Sequence, residues 1–81
     1  MPNGLRNWSY KDVCSFLKGN GFEFNTYLGG SHESWFNVAT NSVVEVNRTK
    51  NSYPIRTLET MIRQSNLSKD MWRDWVGKVK K

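Results

Sequence analysis

Cysteine and histidine are nearly missing from this 81-residue chain, with one of each, Cys14 and His32. One thiol cannot close an internal disulfide, and with a single histidine it leaves too few ligands for a usual zinc site, so no metal site is expected. That cysteine usage fits a reducing, cytoplasmic setting. No apolar stretch approaches the roughly 18 residues of a membrane span, and Met1 to Trp8 lack the apolar centre of a signal peptide, so the expectation is a soluble chain that is not exported and has no membrane partner. There is no repeat, linker or low-complexity stretch.

Acidic residues are also scarce. Twelve Lys and Arg face seven Asp and Glu, for a net charge of +5. Such an excess on a small body attracts polyanions, nucleic acid first, although it also serves solubility. Residues 1–81 make a single domain, and so short a chain buries a modest core that leaves little room for catalytic elaboration. What it has in plenty is tryptophan, four residues, in a composition that is 37% hydrophobic and 14% aromatic. That composition is globular rather than disordered.

Ser9 reads as a helix N-cap with Asp12 at the third helical position and Trp8 placed to staple onto Val13. Val13, Phe16 and Leu17 then recur at helical spacing to about Lys18, and Gly19-Asn20-Gly21 ends the helix. Cys14 reads as a small packing residue. From Phe22 the pattern alternates, with Phe22, Phe24, Thr26 and Leu28 on one side, which predicts a strand. Gly29-Gly30 turns into a second strand, about His32 to Ala39. Thr40-Asn41-Ser42 turns into a third, Val43 to Arg48. Ile55, Leu58, Met61 and Ile62 make the stripe of a second helix ending near Ser65. Ser68 caps a last helix with Met71, Trp72, Trp75, Val76 and Val79 on one face, a face for core packing or for a partner. The predicted class is α+β, in the order α-β-β-β-α with an extra C-terminal helix, and helices on one face of a three-stranded antiparallel sheet.

Gly29-Gly30-Ser31-His32 is the point of chemical interest, because histidine exchanges protons near neutral pH and glycine admits close approach. Taking Phe36 and Val38 as core residues pairs them with Val46 and Val44, which places Ser34 opposite Arg48 and His32 opposite Lys50. Arg48 or Lys50 would then hold a phosphate beside His32. Cationic neighbours disfavour an imidazolium and suit a general base. A histidine that merely closes the end of the sheet core is the plain alternative.

The run Val13-Cys14-Ser15-Phe16-Leu17-Lys18-Gly19-Asn20-Gly21-Phe22, the element Gly30-Ser31-His32 and the helix Thr57-Leu58-Glu59-Thr60-Met61-Ile62-Arg63-Gln64-Ser65-Asn66-Leu67-Ser68 together resemble the HicA toxins. These are small mRNA interferases of toxin-antitoxin systems. The resemblance spans most of the chain. It implies a double-stranded-RNA-binding-domain-like fold, metal-independent endoribonuclease activity without a cofactor, His32 as the essential catalytic residue, and a HicB-type antitoxin that masks the site. Where members of that family often carry a second histidine after the third strand, this chain has Val46-Asn47-Arg48-Thr49.

For RNA cleavage of this kind, His32 is expected to act as base or acid and Arg48 and Lys50 to stabilise charge. The backbone N–H groups of Gly30 and Ser31 are placed to bind phosphate oxygen. Glu33, Tyr27 and Lys50 are candidates for the second proton-transfer group. Two rivals stand beside this expectation. One is a non-catalytic RNA-binding module that stacks bases on Tyr27, Trp35 or Tyr53, with Trp35 alternatively packed under the last helix. The other is a protein-binding domain that uses the Trp72 and Trp75 face.

Overall fold

A computed structural model describes residues 4–79, with side chains as far as Trp75. The elements are α1 (Tyr10–Gly19), β1 (Glu23–Gly29), β2 (His32–Asn37), β3 (Ser42–Asn47), α2 (Ile55–Ser65) and α3 (Lys69–Val79). The strands form an antiparallel sheet in the order β1-β2-β3. Val76 and Val79, expected on the apolar face of the last helix, lie outside the described side chains.

Local chemistry sets the helix ends where the sequence predicts them. Ser9 Oγ accepts from Asp12 N at 3.2 Å, and Ser9 N donates to Asp12 Oδ2 at 2.9 Å, a reciprocal capping box. Ser68 Oγ accepts from Met71 N at 3.2 Å at the start of α3, and Asn66 takes a left-handed φ of 60° to end α2.

One core joins all three helices to one sheet face. Val13, Phe16 and Leu17 of α1 and Leu58, Met61 and Ile62 of α2 pack with Trp72 of α3 over Trp35, Val44 and Val46. Its aromatic centre is Trp8, Phe16 and Trp72, with Phe16 and Trp72 rings 4.3 Å apart and Trp8 and Trp72 rings 5.3 Å apart. Trp72 is fully buried and its indole Nε1 donates to Ser65 Oγ at 3.2 Å. Trp72 therefore serves the core and is not presented to a partner.

The sheet register differs from the expected one. Glu33 opposes Val46, Trp35 opposes Val44, Asn37 opposes Ser42, and His32 opposes Asn47. Strand β2 thus turns Trp35, at 4% exposure, into the core, while Val38 is 82% exposed. Two polar residues share the inward parity because their hydrogen bonds are made there. Asn37 Nδ2 donates to Asn20 O at 3.0 Å, and its Oδ1 accepts from Ala39 N at 3.0 Å, which begins the turn at Asn37 rather than at Thr40. Burial of Trp35 also removes it from the residues available to stack RNA.

In β1 the pairing runs Phe24↔Trp35 and then Thr26↔Ser34, so Asn25 is bulged. The bulge reverses the alternation beyond it, which puts Tyr27 rather than Thr26 on the face of Phe24.

Candidate functional site

Gly29 and Gly30 adopt positive φ, 113° and 56°. Gly29 pairs with His32, leaving Gly30-Ser31 as a two-residue loop with positive φ at its first position, the pattern of a type II′ hairpin. Ser31 O accepts from Arg48 N at 2.9 Å, which ties the turn to the end of β3. This turn sets where β2 begins, and so which way His32 points.

Because Glu33 faces the core, His32 projects from the opposite face. Its Nδ1 lies 2.8 Å from Glu45 Oε2, and both side chains are about half-exposed. Glu45 opposes Ser34 on β3, so the contact is a diagonal one across the strands. Gln64 of α2 brings the helix to the same place, since its Oε1 accepts from Glu45 N at 3.0 Å and covers the backbone of the outer strand. Along the outer edge of β3, where α2 reaches it, lies a groove of about 330 Å³, lined by His32, Glu45, Asn47 and Lys50 from the sheet side and by Thr57, Thr60, Met61 and Gln64 from the helix.

The expected constellation is thereby partly assembled and partly corrected. His32 and Lys50 share the groove, but Lys50 lies beyond the paired strand and does not oppose the histidine. Arg48 is elsewhere, with its guanidinium carbon 5.6 Å from the centre of the Tyr27 ring. The charged group at His32 is a carboxylate, not the cation that the expected register placed there. Gly30 and Ser31 stand directly before His32 in the open turn.

Of the three candidates for a second proton-transfer group, only Lys50 lines the groove. Glu33 is 2% exposed on the core face, where its Oε1 accepts from Tyr10 Oη at 3.0 Å and Trp35 Nε1 at 2.8 Å. Tyr27 pairs with Glu33 and so shares that face. Glu45 is the charged groove residue that the expected constellation lacked. A correct register on β3 would have found Glu45, since it alternates with Val44 and Val46.

Cys14 does not present a reactive thiol. Burial, the largest cause, pushes it up to about 11. Burial likewise raises the Tyr10 and Tyr53 hydroxyls, and Tyr53 Oη donates to Asn47 O at 2.6 Å, which anchors the end of β3 beneath the groove.

The arrangement sets the Nδ1 edge of the imidazole against a carboxylate oxygen. Its Nε2 makes no hydrogen bond among the described residues, which leaves that nitrogen for proton exchange at the groove. No helix among the described residues is long and apolar enough to cross a membrane. Comparison with known proteins finds no matching family model, no similar curated protein and no similar solved structure.

Proposed function

We propose that this chain is a metal-independent endoribonuclease of the HicA toxin type, cutting mRNA in the cytoplasm on a double-stranded-RNA-binding-domain-like fold and neutralised by a HicB-type antitoxin. The observation that carries the reading is the His32–Glu45 pair at 2.8 Å beside Lys50 in an open groove of a chain with net charge +5. The order of helices and strands and the Gly30-Ser31-His32 element support it.

In the proposed reaction the ribose 2′-oxygen loses its proton and bonds to the adjacent phosphorus, and the bond from phosphorus to the 5′-oxygen breaks as that oxygen gains a proton. The products are a 2′,3′-cyclic phosphate and a 5′-hydroxyl. His32 Nε2 exchanges one of those protons, and the other exchanges with water in the open groove. Glu45 holds the Nδ1 hydrogen and so orients the ring. Lys50 offsets the charge that develops on the phosphorane, with the backbone N–H groups of Gly30 and Ser31 as further donors.

The alternative is a non-catalytic RNA-binding module with a structural histidine. It is favoured by the same pair, since a half-exposed cross-strand His–Glu contact is also an ordinary sheet pairing. Induced expression in bacterial cells separates the two. Growth arrest with mRNA decay for wild type, and neither for His32→Ala at equal protein level, is expected for the toxin. Equal behaviour of both proteins overturns it.

A further inference from the structure

β1 is the strand that the helices leave bare, with all seven residues Glu23–Gly29 exposed. The bulge at Asn25 brings Phe24 and Tyr27 to one face, where their rings lie 5.0 Å apart at 59°. Tyr27 is 64% exposed and Phe24 44%. Arg48 reaches over the Tyr27 ring. None of the ion pairs among the described residues involves Arg48, so its charge is not offset by a carboxylate.

Aromatic rings are normally drawn into a core, and the Trp8, Phe16 and Trp72 cluster shows that this chain has one. Phe24 rests edge-on against Trp35, 6.2 Å away, yet it and Tyr27 stay substantially exposed beside a guanidinium with no ion-pair partner, which matches what an unpaired base meets on single-strand-binding proteins, a π-face to stack on and a cation for the phosphate. We propose that Phe24, Tyr27 and Arg48 form a stacking platform for an unpaired nucleobase of single-stranded RNA. The inference rests on the RNA reading of the groove and adds to it the part of the substrate that lies outside the groove.

Position connects the two places. Tyr27 pairs with Glu33, whose neighbour is His32, so platform and groove occupy opposite faces at the same end of the sheet. The strand of RNA passes over the hairpin turn between them. Around Gly29 and Gly30 the space is open, since a Cβ added to either would meet nothing within 4 Å. Base recognition on the platform then feeds the following phosphate toward His32.

The test is fluorescence anisotropy of wild-type protein with a labelled 2′-O-methyl RNA dodecamer, which lacks the attacking hydroxyl, beside an abasic dodecamer with the same phosphates. The wild type is expected to bind the base-bearing strand about tenfold more tightly, within the range of base-aromatic stacking. Tyr27→Ala is expected to lose that preference while keeping its affinity for the abasic strand, and Tyr27→Phe to retain it. Tyr27 is exposed, so the variant is expected to melt with the wild type. An unchanged preference in Tyr27→Ala, or equal weakening toward both strands, overturns the platform and leaves the RNA reading standing. Tighter binding to duplex RNA than to the single strand overturns a platform for unpaired bases. Failure of the wild type to bind either dodecamer overturns the RNA reading and the platform together, and assigns the patch to a protein partner.

Discussion

Removing Glu45 separates its effect on folding from its effect on chemistry. The 2.8 Å contact with His32 joins two half-exposed side chains, and water and salt reduce such pairs to about 0.2–1 kcal/mol. In a domain of this size 1 kcal/mol moves melting by about 4–8 °C, so Glu45→Ala is expected to lower Tm by no more than about 8 °C. The chemical effect is expected to be larger. General acid-base help is worth about 10²–10⁴ in rate, and the carboxylate acts on the orientation and charge balance of the imidazole without replacing it. Glu45→Ala is therefore expected to lower kcat for RNA cleavage about 10-fold to 100-fold with KM little changed, and Glu45→Gln, which keeps an acceptor for the Nδ1 hydrogen, to lose less. The decisive assay is the double variant. If Glu45 acts through His32, its removal costs nothing further in a His32→Ala background. An equal loss in both backgrounds, or wild-type kcat in Glu45→Ala, refutes a role for Glu45 through His32.

Other consequences are open to direct measurement. Trp72→Ala removes the centre of the aromatic core and is expected to cost about 3–5 kcal/mol, against a total of roughly 4–12 kcal/mol for a chain of this length; a fall in Tm under about 5 °C by circular dichroism would contradict the packing. Ser9→Ala breaks the capping box and is expected to cost about 1 kcal/mol in urea unfolding, with an unchanged midpoint speaking against the cap. The Cys14 thiol, pushed from 9.0 up to about 11, contributes stability that is whole below about pH 9 and is lost as pH rises toward 11. Native protein should therefore carry about 100-fold less thiolate at pH 8 than unfolded protein and alkylate at least that much more slowly with iodoacetamide. Comparable rates would refute the burial. Lys50→Gln is expected to weaken binding of the 2′-O-methyl dodecamer and to flatten its salt dependence by about one ion, and an unchanged slope would remove Lys50 from the RNA surface.

The parts of the fold legible in sequence are those set by contacts close along the chain. Ser9 and Asp12 are three residues apart and cap α1 as read, and the stripe Leu58, Met61 and Ile62 places α2 from Ile55 to Ser65. The Gly30 turn puts His32 at the start of β2 for the same reason. The parity of β2 depended instead on distant partners. Glu33 goes inward because Tyr10 and Trp35 donate to it, and Asn37 because Asn20 offers a carbonyl. Hydrophobicity alone chose Phe36 and Val38, and reversed the strand. That reversal set Lys50 opposite His32 and Arg48 opposite Ser34 and hid Glu45, while the bulge at Asn25 hid that Phe24 and Tyr27 share a face.

The most direct test of the central claim is gel analysis of a labelled single-stranded RNA incubated in EDTA with purified wild type and, in parallel, His32→Ala. Cleavage by the wild type alone, with 2′,3′-cyclic phosphate ends, is expected. Equal cleavage by both proteins would contradict the assignment to His32, and binding by both without cleavage would make this an RNA-binding module whose histidine only joins two strands.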